Sequence, residues 1–122
     1  MSKISSHILR IGLAVTFIWI GVLILKNPEA WGGYLNPWAI KLLNQVGVTL
    51  SVALIQTAIL DILIGILLIL NALTWVAATV SAVHISIVLI VSGITDITVR
   101  DIGLLAGAIA VAIDSLPESW FN

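Results

Sequence analysis

Four long apolar stretches divide the chain, and the polar positions that interrupt them carry the information. They run from about His7 to Leu25, from Leu50 to Leu70, from Ala72 to Ile94 and from about residue 99 to 116. A hydrocarbon core about 30 Å thick calls for roughly 20 apolar residues of helix, so the first three are long enough to cross it. The stretches are too continuous and too poor in turn residues for a membrane barrel. They predict an all-α fold: an integral membrane four-helix bundle, one domain over residues 1–122, with a short interfacial helix after the first span.

The breaks between stretches set the finer expectations. Asn27–Pro28 closes the first span, because a residue before proline disfavours the helical region. The loop Lys26–Asn36 holds Trp31 and Tyr34, with Trp38 just beyond, and rings at this density mark a membrane–water boundary. Asn36 and Pro37 make a good helix start, an N-cap followed by proline at the first helical position. Trp38, Leu42, Gln45 and Val46 follow at helical spacing, as an interfacial helix or an extension of the second span, with Gly47 as the bend. Ser51, Ala58, Gly65 and Ala72 recur every seventh position, a small-residue stripe that lets a neighbouring helix approach closely. In the third stretch Ala77, Ser81, His84, Val88 and Ser92 share one helical face. Gly103 and Gly107 form a small-xxx-small surface for packing on another helix, in this chain or in a partner's, and so a route to homo- or hetero-oligomers. Lys3 and Arg10 flank the first stretch as in a signal peptide, but Gly21–Ala30 offers no convincing cleavage site, so a retained span is expected.

Two titratable residues stand where a bilayer-spanning helix should have none. Asp61 and His84 each lie near the middle of a span, and only Asn71–Thr74 separates the two spans. Reflection about Ala72/Leu73 sets position 61 opposite position 84, each about 17 Å below the turn. Two ionisable groups at one depth of the hydrocarbon point to a shared site. Burial favours the neutral form of each and mutual pairing favours the charged forms, so a balanced pair can pass a proton. The competing reading is an interhelical tie, which contributes only about 0.6–2 kcal/mol.

Composition narrows the chemistry. The chain is 61% hydrophobic and 9% charged, against about a quarter charged in soluble domains. Its net charge of −1 leaves no basic stripe for nucleic acid. With no cysteine, these residues form no disulfide, thiol relay, cysteine-held cluster or covalent haem site. His7 sits at a helix end, so it cannot join His84 around one haem, and one His with one Asp is not a metal-ligand set. Neither a nucleophile–base constellation nor a phosphate loop is present, and a self-contained enzyme is not expected.

The chain ends carry the remaining charges. Arg10, a turn inside the first span, is expected to snorkel to the headgroups or to pair there, with Asp114 or Glu118 as partners. Only twelve residues, about 18 Å of helix, separate Asp101 from Asp114, so one of them must dip below the interface. Arg10, Arg100 and Asp101 read either as topology anchors or as a mouth for an anionic substrate or lipid headgroup. The cluster Trp31, Tyr34 and Trp38 reads as an aromatic belt or as a stacking platform for a flat ring, and Trp120 and Phe121 as an interfacial anchor.

The run R-I-G-L-A-V-T-F-I-W-I-G (Arg10–Gly21), followed by Lys26, Pro28 and Trp31, resembles the first helix and loop of the DoxX/DoxD-like membrane proteins. R-D-I-G-L-L (Arg100–Leu105) resembles the start of their fourth helix, and Asp61 falls where they often carry a glutamate. Here the acid is Asp, and the Gly21-to-Lys26 spacing is longer than usual. The resemblance implies a four-helix membrane bundle in a family that includes the membrane subunit of a thiosulfate:quinone oxidoreductase. A small membrane subunit of a quinone-linked redox complex is therefore the expected role, with Asp61 and His84 in quinone or proton handling. No cofactor is expected to be held by this chain alone, and quinone is the ligand implied, with Arg10, Arg100, Asp101 and Trp31 as candidate contacts. The alternatives are a structural subunit of a larger membrane assembly and, behind it, a small proton-coupled transporter. The expected setting is the lipid bilayer of a prokaryotic cell membrane, inside a larger complex.

Overall fold

The computed structural model describes residues 2–33, 35–93 and 98–116, and every element among them is a helix. In chain order these are α1 (Lys3–Lys26), α2 (Pro28–Gly32), α3 (Pro37–Gln45), α4 (Leu50–Ile69), α5 (Thr74–Ser92) and α6 (Val99–Asp114). Three of them, α1, α4 and α5, are long and apolar enough to cross a membrane, with mean hydropathy 2.4, 2.5 and 2.0. The fourth, α6, has 16 residues and rises about 24 Å.

The starts and stops follow local chemistry. Ser2 caps α1, its hydroxyl accepting the Ser5 amide, so α1 begins at Lys3 rather than near His7. Pro28 ends α1 as expected but also starts α2, a short helix within what the sequence reads as loop. Pro37 is the first residue of α3; the Asn36 side chain makes no capping bond there. The Asn36 amide instead donates to the Val91 carbonyl at 2.8 Å and pins α3 to the end of α5. Trp38, Leu42 and Val46 remain exposed, an apolar stripe along α3 and its C-cap. Gly47, at φ +80°, is the bend into α4.

The α4–α5 turn holds Asn71 and Leu73 at φ 52° and 48°, and the Thr74 hydroxyl donates to Asn71 Oδ1. The third span therefore starts at Thr74, two residues later than its hydrophobic pattern predicts. Its predicted end at Ile94 lies outside the described residues, as do Tyr34, Glu118, Trp120 and Phe121.

Side chains from α1, α4, α5 and α6 meet in one core, with Leu13, Ala14, Phe17, Ile64, Leu68 and Ala78 among its members. Of the small-residue stripe, Ala58 and Gly65 face α1, while Ser51 is exposed and Ala72 lies in the turn beyond α4. A Cβ on Gly21 would lie 2.8 Å from the Ala58 carbonyl, and one on Gly65 would lie 2.8 Å from the Ala14 carbonyl. Two small residues seven apart on each helix thus let α1 and α4 cross closely. The outward surface is also apolar: Trp19, Leu63, Val83 and Ile113 are exposed, as suits helices solvated by lipid. The chain is an all-α integral membrane bundle in contact with the bilayer.

Candidate functional site

The α4–α5 turn folds Asp61 and His84 onto each other. His84 Nε2 stands 3.1 Å from Asp61 Oδ1, and the two side chains keep 14% and 5% of their surface. Reflection about the turn gives only a shared depth; the rotation of α4 and α5 about their axes adds the contact in space. The ring N–H is not aimed at the carboxylate with hydrogen-bond geometry, and Oδ1 is buried without a hydrogen-bond partner. Direction outweighs separation here, because a hydrogen bond weakens steeply off its axis. The pair is a close polar contact with one acceptor position still open.

The outer edge of His84 lines a groove between α4 and α5. Leu60, Thr79, Val80, Val83 and Ile87 form its other walls, around about 260 Å³. The Thr79 hydroxyl donates to the Trp75 carbonyl at 2.7 Å, and His84 is the titratable residue among the walls. Val83 and Ile87 are exposed, so the groove opens sideways, toward lipid.

Asp101 is a third member of this region. It lies half-buried at the start of α6, within electrostatic reach of Asp61, His84 and its neighbour Arg100. Arg100 points outward and is exposed. Of the two carboxylates that bracket α6, Asp101 is the one inside the bundle. Asp114 is exposed and accepts the Ser6 hydroxyl at 2.6 Å.

Arg10 does not snorkel. It is 8% exposed, and Nη1 donates to the Leu68 and Ile69 carbonyls. Its Nη2 lies 2.9 Å from His7 Nδ1. Because α1 begins at Lys3, Arg10 sits two turns inside the helix, and the close α1–α4 crossing brings it to the end of α4. Carbonyls there lack intrahelical donors, and a cation complements the helix dipole. Around it Ser6, His7, Asn71, Thr74 and Asp114 line a polar recess of about 410 Å³ at this end of the bundle. Sequence reasoning missed this group, although the matched spacings Ala14/Gly21 and Ala58/Gly65 would have set Arg10 beside Leu68.

The remaining candidates are dispersed. Trp31 is half-buried against the Ile24, Leu54 and Ala58 cluster, so it packs the α1–α4 pair rather than standing in a lipid-facing belt. Gly107 faces Leu9 and Leu13 of α1, whereas Gly103 looks into open space. The two glycines therefore do not form one packing surface within the chain.

No curated protein and no solved structure matches the chain. A match to DoxX covers residues 5–93, well over half of the sequence, and takes in the helices that carry Arg10, Asp61 and His84: the chain belongs to the DoxX family.

Proposed function

We propose that this protein is the small membrane subunit of a quinone-linked redox complex, in which Asp61 and His84 exchange the protons of a quinone headgroup. The observation that carries this reading is a buried carboxylate–imidazole pair whose imidazole opens onto a lipid-facing groove. Its walls are apolar apart from His84 and Thr79, and a flat, lipid-soluble ring fits such a space. A bound quinone supplies two-electron chemistry in which each electron is matched by a proton, the electrons passing to or from a redox centre of a partner subunit. In this reading His84, which lines the groove, hydrogen-bonds a quinone oxygen. Asp61 sits behind it, 3.1 Å away, and its charge stabilises the imidazolium when His84 holds a proton. The unsatisfied Oδ1 gives that proton a second resting place. The exposed apolar faces of the bundle supply the surface on which the rest of a membrane complex would pack.

The test is purification with native neighbours, identification of the proteins and quinone that co-purify, and turnover of the Asp61→Asn and His84→Ala variants. Bound quinone with turnover lost in both variants supports the reading. Full turnover in both leaves the chain a structural subunit.

A further inference from the structure

The contacts at the two ends of α6 fix the depth of Asp101. At one end, Asp114 accepts the Ser6 hydroxyl, so α6 and α1 are level there. From that point the thirteen residues to Asp101 rise about 20 Å, and the twelve from Ser6 to Ile18 rise about 18 Å. Ile18 marks the level of Asp61, because Ala14 meets Gly65 and Gly21 meets Ala58. At the other end, the Thr98 hydroxyl donates to the Gly93 carbonyl and joins α6 to α5. Counted from this contact, Asp101 lies about 9 Å nearer the Lys26 end of the bundle than His84 does. The two routes bracket Asp101 between level with the pair and about two turns above it.

Exposure grows in the same direction. Asp61 is buried with an unpartnered oxygen, Asp101 is half-buried, and Arg100 is exposed. The charged and titratable groups within reach of Asp101 are Asp61, His84 and Arg100, so nothing else described competes for its charge. On the opposite side of the pair the core closes: Ile64, Leu68, Ala77, Ala78 and Ala108 are buried and apolar, and the buried Ser81 hydroxyl donates back to the Ala78 carbonyl of its own helix. A proton leaving the pair toward Arg10 would have to cross that packing.

We infer that Asp101 is the outer station of a proton path joining the Asp61–His84 pair to the Lys26 face of the membrane, and to that face alone. The inference rests on the reading of that pair as a proton-handling site. One proton at a time moves between the pair and the Asp101 carboxylate, and from there to water; no bond other than O–H or N–H is made or broken.

Because the chain has no cysteine, single-cysteine variants in oriented membrane vesicles test the access route directly. A charged, membrane-impermeant thiol reagent is added from each side in turn, with K26C marking its face. D101C is expected to react from the K26C face only, and D61C from neither within the same time. Reaction of D101C from the opposite face, protection of D101C from both, or reaction of D61C as fast as D101C overturns the inference. In the intact complex, Asp101→Asn is expected to lower quinone-coupled turnover about a hundredfold, with Asp101→Glu restoring it. Unchanged turnover in Asp101→Asn while Asp61→Asn is inactive refutes the path and leaves the site. Unchanged turnover in Asp61→Asn refutes the site itself, whatever the labelling pattern.

Discussion

Gly65→Ala should destabilise the bundle although it adds a single methyl group to a helix. The new Cβ would abut the Ile18 side chain and stand 2.8 Å from the Ala14 carbonyl oxygen. Ile18 can rotate, but a backbone carbonyl inside a helix cannot, so α1 must retreat by about half an ångström to restore ordinary contact. Such over-packing costs about 1–3 kcal/mol. Alanine is also the better helix former, by up to about 1 kcal/mol in water, which works the other way. Gly103→Ala isolates that propensity effect, because its added Cβ meets nothing within 4 Å. The quantity to measure is therefore the stability of Gly65→Ala relative to Gly103→Ala, by denaturing-detergent titration followed by circular dichroism and tryptophan fluorescence. Gly65→Ala is expected to fall about 1–3 kcal/mol below Gly103→Ala. Gly21→Ala should match it, since its Cβ would meet Ala58 in the reciprocal arrangement. The double variant should lose less than the sum, because a helix pair already forced apart has room for the second methyl. A Gly65→Ala protein within about 0.5 kcal/mol of Gly103→Ala would refute the close crossing, and with it the alignment that sets Arg10 beside Leu68.

Three further outcomes follow from other parts of the bundle. Arg10→Met should cost about 2–4 kcal/mol in the same titration, since it leaves the end of α4 without its charged donor, and Arg10→Lys should fall between, because a lysine cannot fork two carbonyls and His7 together. Leu73→Gly should raise stability by about 1 kcal/mol, for Leu73 holds a left-handed backbone at φ 48° while its side chain is largely exposed; a loss of stability would show that the side chain packs after all. Replacing Asp61 and His84 together by leucine should leave stability within about 1–2 kcal/mol of the parent while abolishing turnover, whereas His84→Leu alone should destabilise more by stranding the Asp61 carboxylate; a double variant that unfolds would make the pair a structural tie.

The legible parts of this chain were those governed by pattern at one scale. Span length, the proline start of α3 and the Gly47 bend are local, whereas α2 escaped, because PEAWG has just one helical turn to signal itself. The shared depth of Asp61 and His84 was legible because a turn this short leaves two antiparallel helices one alignment; their contact was not, since it depends on the rotation of each helix about its axis. Arg10 was misread for the opposite reason. Its partners are backbone carbonyls of a helix some sixty positions away, and carbonyls carry no sequence signal. Gly103 and Gly107 show the limit of motif reading: one turns toward α1 and the other away, a distinction set by the rotation of α6 about its own axis.

The packing of the four long helices is uneven, and the site occupies the weak seam. Pairing is most extensive between α1 and α4 and between α5 and α6, and slighter between α4 and α5. Small residues draw α1 and α4 together, and the Thr98 hydroxyl on the Gly93 carbonyl fastens α6 to α5. The bundle is thus two tight helix pairs joined by the turn at Asn71–Thr74, by α1 against α6 at Ser6–Asp114 and Leu13–Gly107, and, at mid-depth, by Asp61 on one pair and His84 on the other. A lipid-soluble ring entering from the side needs a place where helices part at little cost, and a seam held by a polar contact is such a place. Dispersion packing offers nothing back to a displaced surface, whereas a carboxylate and an imidazole that separate can each hydrogen-bond whatever comes between them. The groove at Val80, Val83 and Ile87 opens along this seam, with Asp101 on the far pair overlooking the same contact. Burying a carboxylate here costs stability, and the location accounts for that cost: a loosely packed interface of the bundle is also the one that puts titratable groups from three helices within reach of the lipid.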